Sequence, residues 1–292
     1  MKLPYLIFFK KIVSNHNIFC IFAFLNDMKR FFAYIVVLLI VTSCGSYQKL
    51  LKSTDAEEKF AAAKNYFLEK KYSKSATLFS DLLQIYKNSK QGEEVVYLLA
   101  ESLVGMKDYY SAVSYYNEYL RSYPRGEYAS DSRFMVGYCY YLESPDARLD
   151  QTATNRAVAA LTEFTQIYPD GEKTADAYRL ISEMEDKLAY KGFLEAKLYY
   201  NLGTYMGNNF RSTIITAENI LKEYPNTKHR ENLSFLILKA KYQEAALSIA
   251  DKKRQRFSEV IDEFYKYSVE FPNSKNNSEA NRMLKEAKKY TK

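Results

Sequence analysis

The stretch Tyr109–Gly126, YYSAVSYYNEYLRSYPRG, decides how the chain folds. Read at helical spacing, it sets Ala112, Tyr116, Tyr119 and Tyr123 on one face, at steps of three and four. Pro124 stops the helix, because it has no N–H to donate and pushes the preceding residue out of the helical region. The same arrangement recurs. With the terminal aromatic as zero, Tyr86, Tyr123, Tyr168, Tyr224 and Phe271 align. Pro follows in the last four copies (Pro124, Pro169, Pro225 and Pro272), and Lys87 in the first. Three residues past zero stands a small residue: Ser89, Gly126, Gly171, Thr227 or Ser274. Four before zero stand Leu82, Tyr119, Phe164, Ile220 and Tyr267. Eleven before zero stand Ser75, Ala112, Ala157, Thr213 and Val260, all small or β-branched. Five matches in one register read as an internal repeat, not as five unrelated amphipathic helices ending at proline. Successive zeros are 37, 45, 56 and 47 residues apart. A helix–turn–helix unit of roughly 34 residues accounts for the first interval, and the others need longer helices or inserted loops.

Composition agrees. The 292 residues include 28 Tyr and 18 Phe but no Trp, with only 9 Gly and 6 Pro. Few breakers among many aromatics, Ala, Lys and Glu suit long packed helices, and no sustained period-two alternation predicts a strand. The fold class is all-α, a solenoid of helical hairpins with about five repeats and a closing helix. Predicted helices cover 56–70, 73–87, 91–105, 108–122, 127–143, 154–168, 173–190, 193–206, 208–223 and 228–250. A further helix ends at Phe271, and a lysine-rich one, Ser278–Tyr290, caps the array. Between 190 and 207, Gly192, Gly203 and Gly207 punctuate an extra helix that the 56-residue interval requires, either separate or as one long bent helix. Ser144-Pro145-Asp146 opens an insertion in the third unit, and inserted loops in compact repeats are often functional.

The amino terminus follows another logic. Met28-Lys29-Arg30 is a basic start, Phe31–Val41 an apolar run, and Thr42-Ser43 a small-residue site before Cys44. Val41-Thr42-Ser43-Cys44 resembles the bacterial lipobox, in which the cysteine becomes the lipidated first residue. Residues 1–27 are therefore read as an extension upstream of the true start, 28–43 as a lipoprotein signal, 44–55 as a tether and 56–292 as the repeat domain. Several acyl chains on Cys44 would anchor the protein stably without a spanning helix. Cys139 is left as a small core hydrophobe, and no disulfide framework is available.

The net charge is +7, but residues 1–43 hold five Lys/Arg and one Asp, leaving a net +3. That excess does not argue for nucleic acid. Lys252-Lys253-Arg254-Gln255-Arg256, the densest basic run, reads as a solvated helix start. No Gly-rich phosphate loop, GxSxG, HExxH or CxxC occurs, and beyond Cys44 only His229 is present as a histidine. Carboxylate pairs such as Glu57-Glu58 and Glu93-Glu94 sit in first turns, where they complement the helix dipole. No catalytic residue, metal ligand or cofactor is expected. A stack of hairpins instead offers a concave surface for another polypeptide, and the aromatics off the packing seam, Tyr66, Tyr97 and Tyr128 on first helices, are the groove candidates.

The pattern Tyr…Ala…Phe…Tyr-Pro-x-Ser resembles the tetratricopeptide variant of BamD-type outer-membrane lipoproteins. Leu149-Asp150-Gln151-Thr152 leading into Ala157, Phe164 and Tyr168-Pro169 carries the resemblance further, with Asp186-Lys187-Leu188-Ala189, Tyr199-Tyr200 and Tyr224-Pro225-Asn226-Thr227. It covers roughly Cys44 to the end. The resemblance implies a lipid-anchored protein on the periplasmic face of the outer membrane. Its carboxyl-terminal repeats would bind the periplasmic domains of a BamA-like barrel insertase, and its amino-terminal repeats would receive unfolded barrel proteins. In that family an Arg often stands eight residues before the Tyr-Pro of the fourth unit, where this chain has Thr216. The partner face is therefore assigned to Lys222, Glu223, Lys228 and Arg230, with Arg211 nearby. Two other readings stay open: a generic periplasmic scaffold lipoprotein, and a surface glycan-binding lipoprotein, against which the absence of Trp argues.

Overall fold

A computed structural model describes residues 44–87 and 89–292. The proposed extension and signal segment, 1–43, lie outside the described residues. Twelve helices and no strand occur among the described residues. They fall into two compact units, one ending at Ile85 and the other Tyr86–Lys292.

The first unit holds α1 (Cys44–Lys52), α2 (Ala56–Leu68) and α3 (Tyr72–Leu82). Most of the expected tether is thus helical. Asp55 caps α2, its Oδ1 accepting the Glu58 N–H at 3.0 Å, and thereby satisfies one of the first-turn donors. Ser75, eleven before the first zero, is fully buried and donates to the Ala63 carbonyl at 3.0 Å, which lets α2 and α3 approach closely. The Lys59 ammonium reaches the Leu51 carbonyl and the Asp81 carboxylate, each at 3.1 Å, and ties α1 to the hairpin. α3 stops five residues before the expected end. Without a proline to set a sharp stop, the chain loosens into a short turn in which Ile85 N–H donates to the Leu82 carbonyl at 3.1 Å.

The second unit pairs α4 (Lys90–Gly105) with α5 (Tyr109–Ser122), α6 (Ala129–Glu143) with α7 (Thr152–Ile167), α8 (Thr174–Leu202) with α9 (Asn209–Glu223), and α10 (Arg230–Ala246) with α11 (Ala250–Glu270). α12 (Asn277–Tyr290) closes the stack, burying Ala280, Met283 and Ala287 against it. From α4 to α12 each helix packs on the next, and α6, α8, α10 and α12 also touch in succession.

The repeat register is visible atom by atom. Ala112, Ala157, Thr213 and Val260 are all fully buried, because a larger side chain there would hold the paired helices apart. Tyr119, Phe164 and Tyr267 are buried at the position four before zero, and Ile220 packs beside the core. At zero, Tyr123, Tyr168, Tyr224 and Phe271 have ψ between 60° and 70°, outside the helical range, which is what the following proline requires. Their N–H groups still donate to the carbonyl four back, at 2.7–2.9 Å. The N–H of the small residue at plus three then returns to the zero carbonyl at 3.0–3.3 Å, in all five copies.

An acid of each first helix closes that turn. Glu93 accepts the Tyr119 hydroxyl and the Glu127 N–H, each at 2.5 Å. Asp131 pairs with Lys173 at 2.9 Å. Asp186 accepts the Thr227 hydroxyl at 3.0 Å and the Lys228 N–H at 2.9 Å. Glu231 accepts the Ser274 hydroxyl at 2.7 Å. Glu93 therefore does more than complement a dipole.

Of the two readings of the fourth unit, the single long helix holds: α8 runs unbroken through Gly192 for 29 residues and stops at Leu202, short of the expected 206. Gly192 faces inward, where a Cβ would lie 2.3 Å from Ile220 Cδ1. It is a point of close approach, not a break. The first part of α8 covers the third unit: Thr174 Oγ1 donates to the Tyr168 carbonyl at 2.5 Å, and Lys187 reaches Ser144 Oγ at 2.8 Å. The later part is the first helix of the fourth unit, whose closing turn is gripped by Asp186. Twelve residues, ~18 Å of helix, thus separate where the two units begin on one shaft. That offset produces the 56-residue interval.

Candidate functional site

The inserted loop 144–151 is rigidly built. Gln151 is buried, and its Nε2 donates to the Asp146 carbonyl at 2.9 Å and the Leu149 carbonyl at 3.1 Å. Thr154 Oγ1 donates to Gln151 Oε1 at 2.6 Å and meets Ser144 Oγ at the same distance. From α8, Lys191 donates to the Leu149 carbonyl at 2.8 Å beside the Lys187 contact. Held this way, the loop walls an open groove of about 410 Å³. Tyr109, Tyr110, Tyr140, Pro145, Leu149 and Arg156 line it, with the Glu143 and Asp150 carboxylates at the rim. The Arg156 guanidinium lies over the Tyr140 ring, 5.8 Å from its centroid. Asp150 Oδ1 accepts the Thr152 N–H at 2.9 Å, and the Thr152 hydrogen bonds hold its carboxyl below the usual range. Arg156 and Glu143 have no ion-pair partner among the described residues. The walls suit apolar side chains, and the two free charges suit the polar ends of a peptide.

The candidates read from sequence take other places. Tyr66 lies in the first unit, half-buried, edge-on to Tyr47 at 5.7 Å, with the Lys74 ammonium 5.4 Å from its ring. Tyr97 and Tyr128 are brought together in the second unit, stacked with centroids 4.2 Å apart. Tyr128 precedes α6 as its cap residue and is not within the helix. Tyr97 also packs on Tyr116 and Tyr119, so this pair is half-buried in an aromatic cluster. Beneath it, the Tyr116 hydroxyl donates to Glu101. Burial pushes the Glu101 carboxyl above its ordinary range, and burial also drives the fully enclosed Cys139 thiol up to about 12. Cys139 is a core residue, as its sequence context predicted. Sequence reasoning missed the groove at Tyr109, Tyr110, Tyr140 and Arg156, although the insertion signal at Ser144–Asp146 pointed to it.

The partner-face residues divide. Lys222, Glu223, Lys228 and Arg230 gather at one turn after α9. Arg211 stands in the first turn of α9, eleven residues or ~17 Å away. Lys228 pairs with Asp186 at 3.0 Å, and Arg230 pairs with Glu270 while donating to the Pro225 carbonyl at 3.0 Å. Glu223 accepts the Tyr224 hydroxyl at 2.8 Å. Lys222 is exposed without an ion pair among the described residues. Thr216 is half-buried midway along α9.

Among the described residues, no group of three or more His, Cys, Asp or Glu could hold a metal ion, and no helix is long and apolar enough to cross a membrane. Stacked hairpins, turns locked by carboxylates and an open aromatic groove define a tetratricopeptide-like helical array. Residues 52–206 match the family model YfiO, described as outer membrane lipoprotein, and the chain belongs to that family. It is 25% identical over 240 residues to a protein of Aquifex aeolicus (strain VF5) named as outer membrane protein assembly factor BamD, covering 82% of this chain and 75% of that one. It is 26% identical over 132 residues to outer membrane protein assembly factor BamD of Caulobacter vibrioides (strain ATCC 19089 / CIP 103742 / CB 15), covering 45% of this chain and 42% of the relative. Among solved structures it is similar to the TPR2AB-domain:pHSP90-complex of yeast Sti1, at 12% identity and a TM-score of 0.36, over 80% of this chain and 98% of that one. The resemblance to BamD-type lipoproteins drawn from the repeat motif therefore holds.

Proposed function

We propose that this chain is a non-enzymatic outer-membrane protein assembly factor, acylated at Cys44 and held on the periplasmic face of the outer membrane. Residues 28–43 serve as its signal segment and 56–292 as its binding array. The turn carrying Lys222, Glu223, Lys228 and Arg230 meets the periplasmic domains of the barrel insertase. Unfolded barrel proteins are received in the second and third units, with their apolar side chains in the groove at Tyr109, Tyr110, Tyr140 and Leu149. The observation that carries this reading is the family match over residues 52–206, which includes every residue lining that groove. Tyr97 and Tyr128 support the groove's units from within; Tyr66 remains a separate candidate contact in the first unit.

Depletion of the protein is expected to lower the levels of outer-membrane barrel proteins, and the insertase is expected to co-purify with it from membranes. Unchanged barrels on depletion would reject the reading in favour of a scaffold for other envelope machinery. A photocrosslinker at Tyr110 is expected to capture unfolded barrel chains, and Arg156→Glu to reduce capture. Capture unaffected by Arg156→Glu and Leu149→Glu together would move the substrate elsewhere on the array. Peptide mapping of the mature protein checks the start: an acylated peptide beginning at Cys44 is expected, and a peptide from residues 8–24 would reject the assignment.

A further inference from the structure

At the far end of α8 the chain makes a tip that stands apart from the insertion groove and the partner turn, with Arg211, set apart from the other partner-face candidates, beside it. Gly203 and Gly207 have positive φ, 55° and 142°, and Met206 joins them at 53°. The Asn209 N–H donates to the Gly203 carbonyl at 3.0 Å, and Asn209 Nδ2 to the Tyr205 carbonyl at 2.7 Å, so the loop has a fixed shape. A second loop, 247–249, is fastened to it through Glu244. That buried carboxylate accepts Asn208 Nδ2 at 2.9 Å and pairs with Arg256 at 3.5 Å, and its backbone carbonyl accepts the Ser248 hydroxyl at 2.6 Å. The two loops form one projection.

What this projection shows to solvent is apolar. Met206 is 90% exposed, Tyr205 67%, Ile249 66% and Leu247 62%, with Leu202 at their base. Loop tips in water ordinarily carry small or polar residues. Around them stand Arg211, Lys252, Lys253 and Arg254, against one acid, Asp251, and none of these cations has an ion pair among the described residues. Lys253 lies 5.5 Å from the Tyr290 ring centroid. Lys252, Lys253 and Arg254 occupy the first turns of α11, where the helix dipole disfavours cations. Helix stability therefore does not account for them, and the reading of this run as a merely solvated helix start leaves the exposed Leu247 and Ile249 unexplained.

We propose that this tip contacts an anionic phospholipid bilayer, with Tyr205, Met206, Leu247 and Ile249 entering the interface and Arg211, Lys252, Lys253 and Arg254 meeting the headgroups. The shape selects the occupant. A peptide or partner helix seeks a groove; here the apolar residues project, and a projection ringed by cations fits a deformable apolar layer under a negative surface. A tyrosine among aliphatic residues belongs at such an interface. The contact is independent of the insertion groove and of the partner turn.

The test uses the full chain purified from membranes and reconstituted in vesicles. An environment-sensitive fluorophore is placed at Tyr205→Cys, with Asn226→Cys on the opposite turns as control and nitroxide-labelled lipid as quencher. In phosphatidylglycerol vesicles, quenching at 205 is expected to exceed that at 226 by about threefold or more, and to fall toward the control in phosphatidylcholine. The triple variant Lys252→Gln, Lys253→Gln, Arg254→Gln is expected to lose the excess while keeping its helical signal, since it relieves the dipole conflict. Equal quenching at both positions overturns the proposal. So does quenching that ignores lipid charge and the triple substitution, and so does crosslinking of the tip to another protein in place of lipid contact.

Discussion

Tyr119→Phe isolates the clamp that sets one hairpin against the next. The phenol is fully buried; its hydroxyl donates to Glu93 at 2.5 Å and accepts the Tyr128 N–H at 2.9 Å. Phe keeps the ring and its packing on Tyr97 and Tyr123, so no cavity confuses the result. What is lost is one hydrogen bond to a charged acceptor, together with the partner of a half-buried backbone donor. Such losses are worth roughly 2–4 kcal/mol together. In a unit of this size that is roughly 6–12 °C in midpoint temperature. Because each repeat touches only its neighbours, amide exchange should accelerate across 90–134 and hardly at all in α10 to α12. Glu93→Ala removes the acceptor for both the Tyr119 hydroxyl and the Glu127 N–H. With both substitutions in one chain, the cost should fall short of the sum by ~1–2 kcal/mol, since they share an interaction. Thermal melts with site-resolved hydrogen exchange measure both quantities. A Tyr119→Phe protein within ~0.5 kcal/mol of the parent, or strict additivity with Glu93→Ala, would refute the clamp.

Four further outcomes follow from named contacts. Gly192→Ala should cost ~1–2 kcal/mol despite alanine's better helix propensity, because its Cβ would lie 2.3 Å from Ile220; chemical denaturation measures this, and Ile220→Ala in the same chain should restore part of the loss. The Glu101 carboxyl has its folded pKa raised above 4.5, chiefly by burial, so the stability it contributes is full below that value and lost as pH rises through the folded pKa. Glu101→Gln should therefore be the more stable protein at pH 7 and flatter through that window. For Asp186, burial raises the pKa, but the Lys228 and Thr227 hydrogen bonds outweigh it and hold it below 3.8. Its stabilisation is present above that value and lost as pH falls through the folded pKa, an acid limb that Asp186→Asn should lack in a melt series. The Cys139 thiol, pushed up to about 12, should resist alkylation at pH 8 until the protein is denatured.

The all-α repeat was legible because it rests on local rules. A proline one past an aromatic dictates both a helix stop and a zero residue outside the helical region, and a small residue at minus eleven is what two close helices demand. Boundaries read that way fall within a few residues of α4, α5, α7, α9 and α12. Reading failed where a tertiary contact overrode a local signal. Gly192 is a poor helix former, yet it stays helical because Ile220 needs the space of its missing side chain. The segment 44–52, expected to be a tether, is helical, and Lys59 holds it by reaching back to the Leu51 carbonyl. The groove was half legible. Ser144-Pro145-Asp146 announced an insertion, but that Tyr110 and Tyr140 line one groove with it depends on how α5 lies against α6. Tyr97 and Tyr128 looked like surface aromatics because their separation in sequence conceals a stacking partner. The exposed tip at Tyr205 and Met206 gave no signal at all, since isolated apolar residues in loops are common.

α8 links these surfaces mechanically. Within six residues, Asp186 grips the turn at Thr227 and Lys228, Lys187 holds Ser144, and Lys191 holds Leu149. The proposed insertase contact and the wall of the proposed substrate groove therefore hang from less than two turns of one helix. Its far end carries the apolar tip, eleven residues or more beyond Lys191. α8 is one uninterrupted helix of 29 residues, so the three places lie on a single shaft. Under the proposed function its part is that of a ruler, setting the separation at which the proposed substrate groove, insertase turn and bilayer tip stand. A fourth unit of ordinary spacing would have its closing turn gripped near the start of α8, whereas Asp186 grips it ~18 Å further along the shaft.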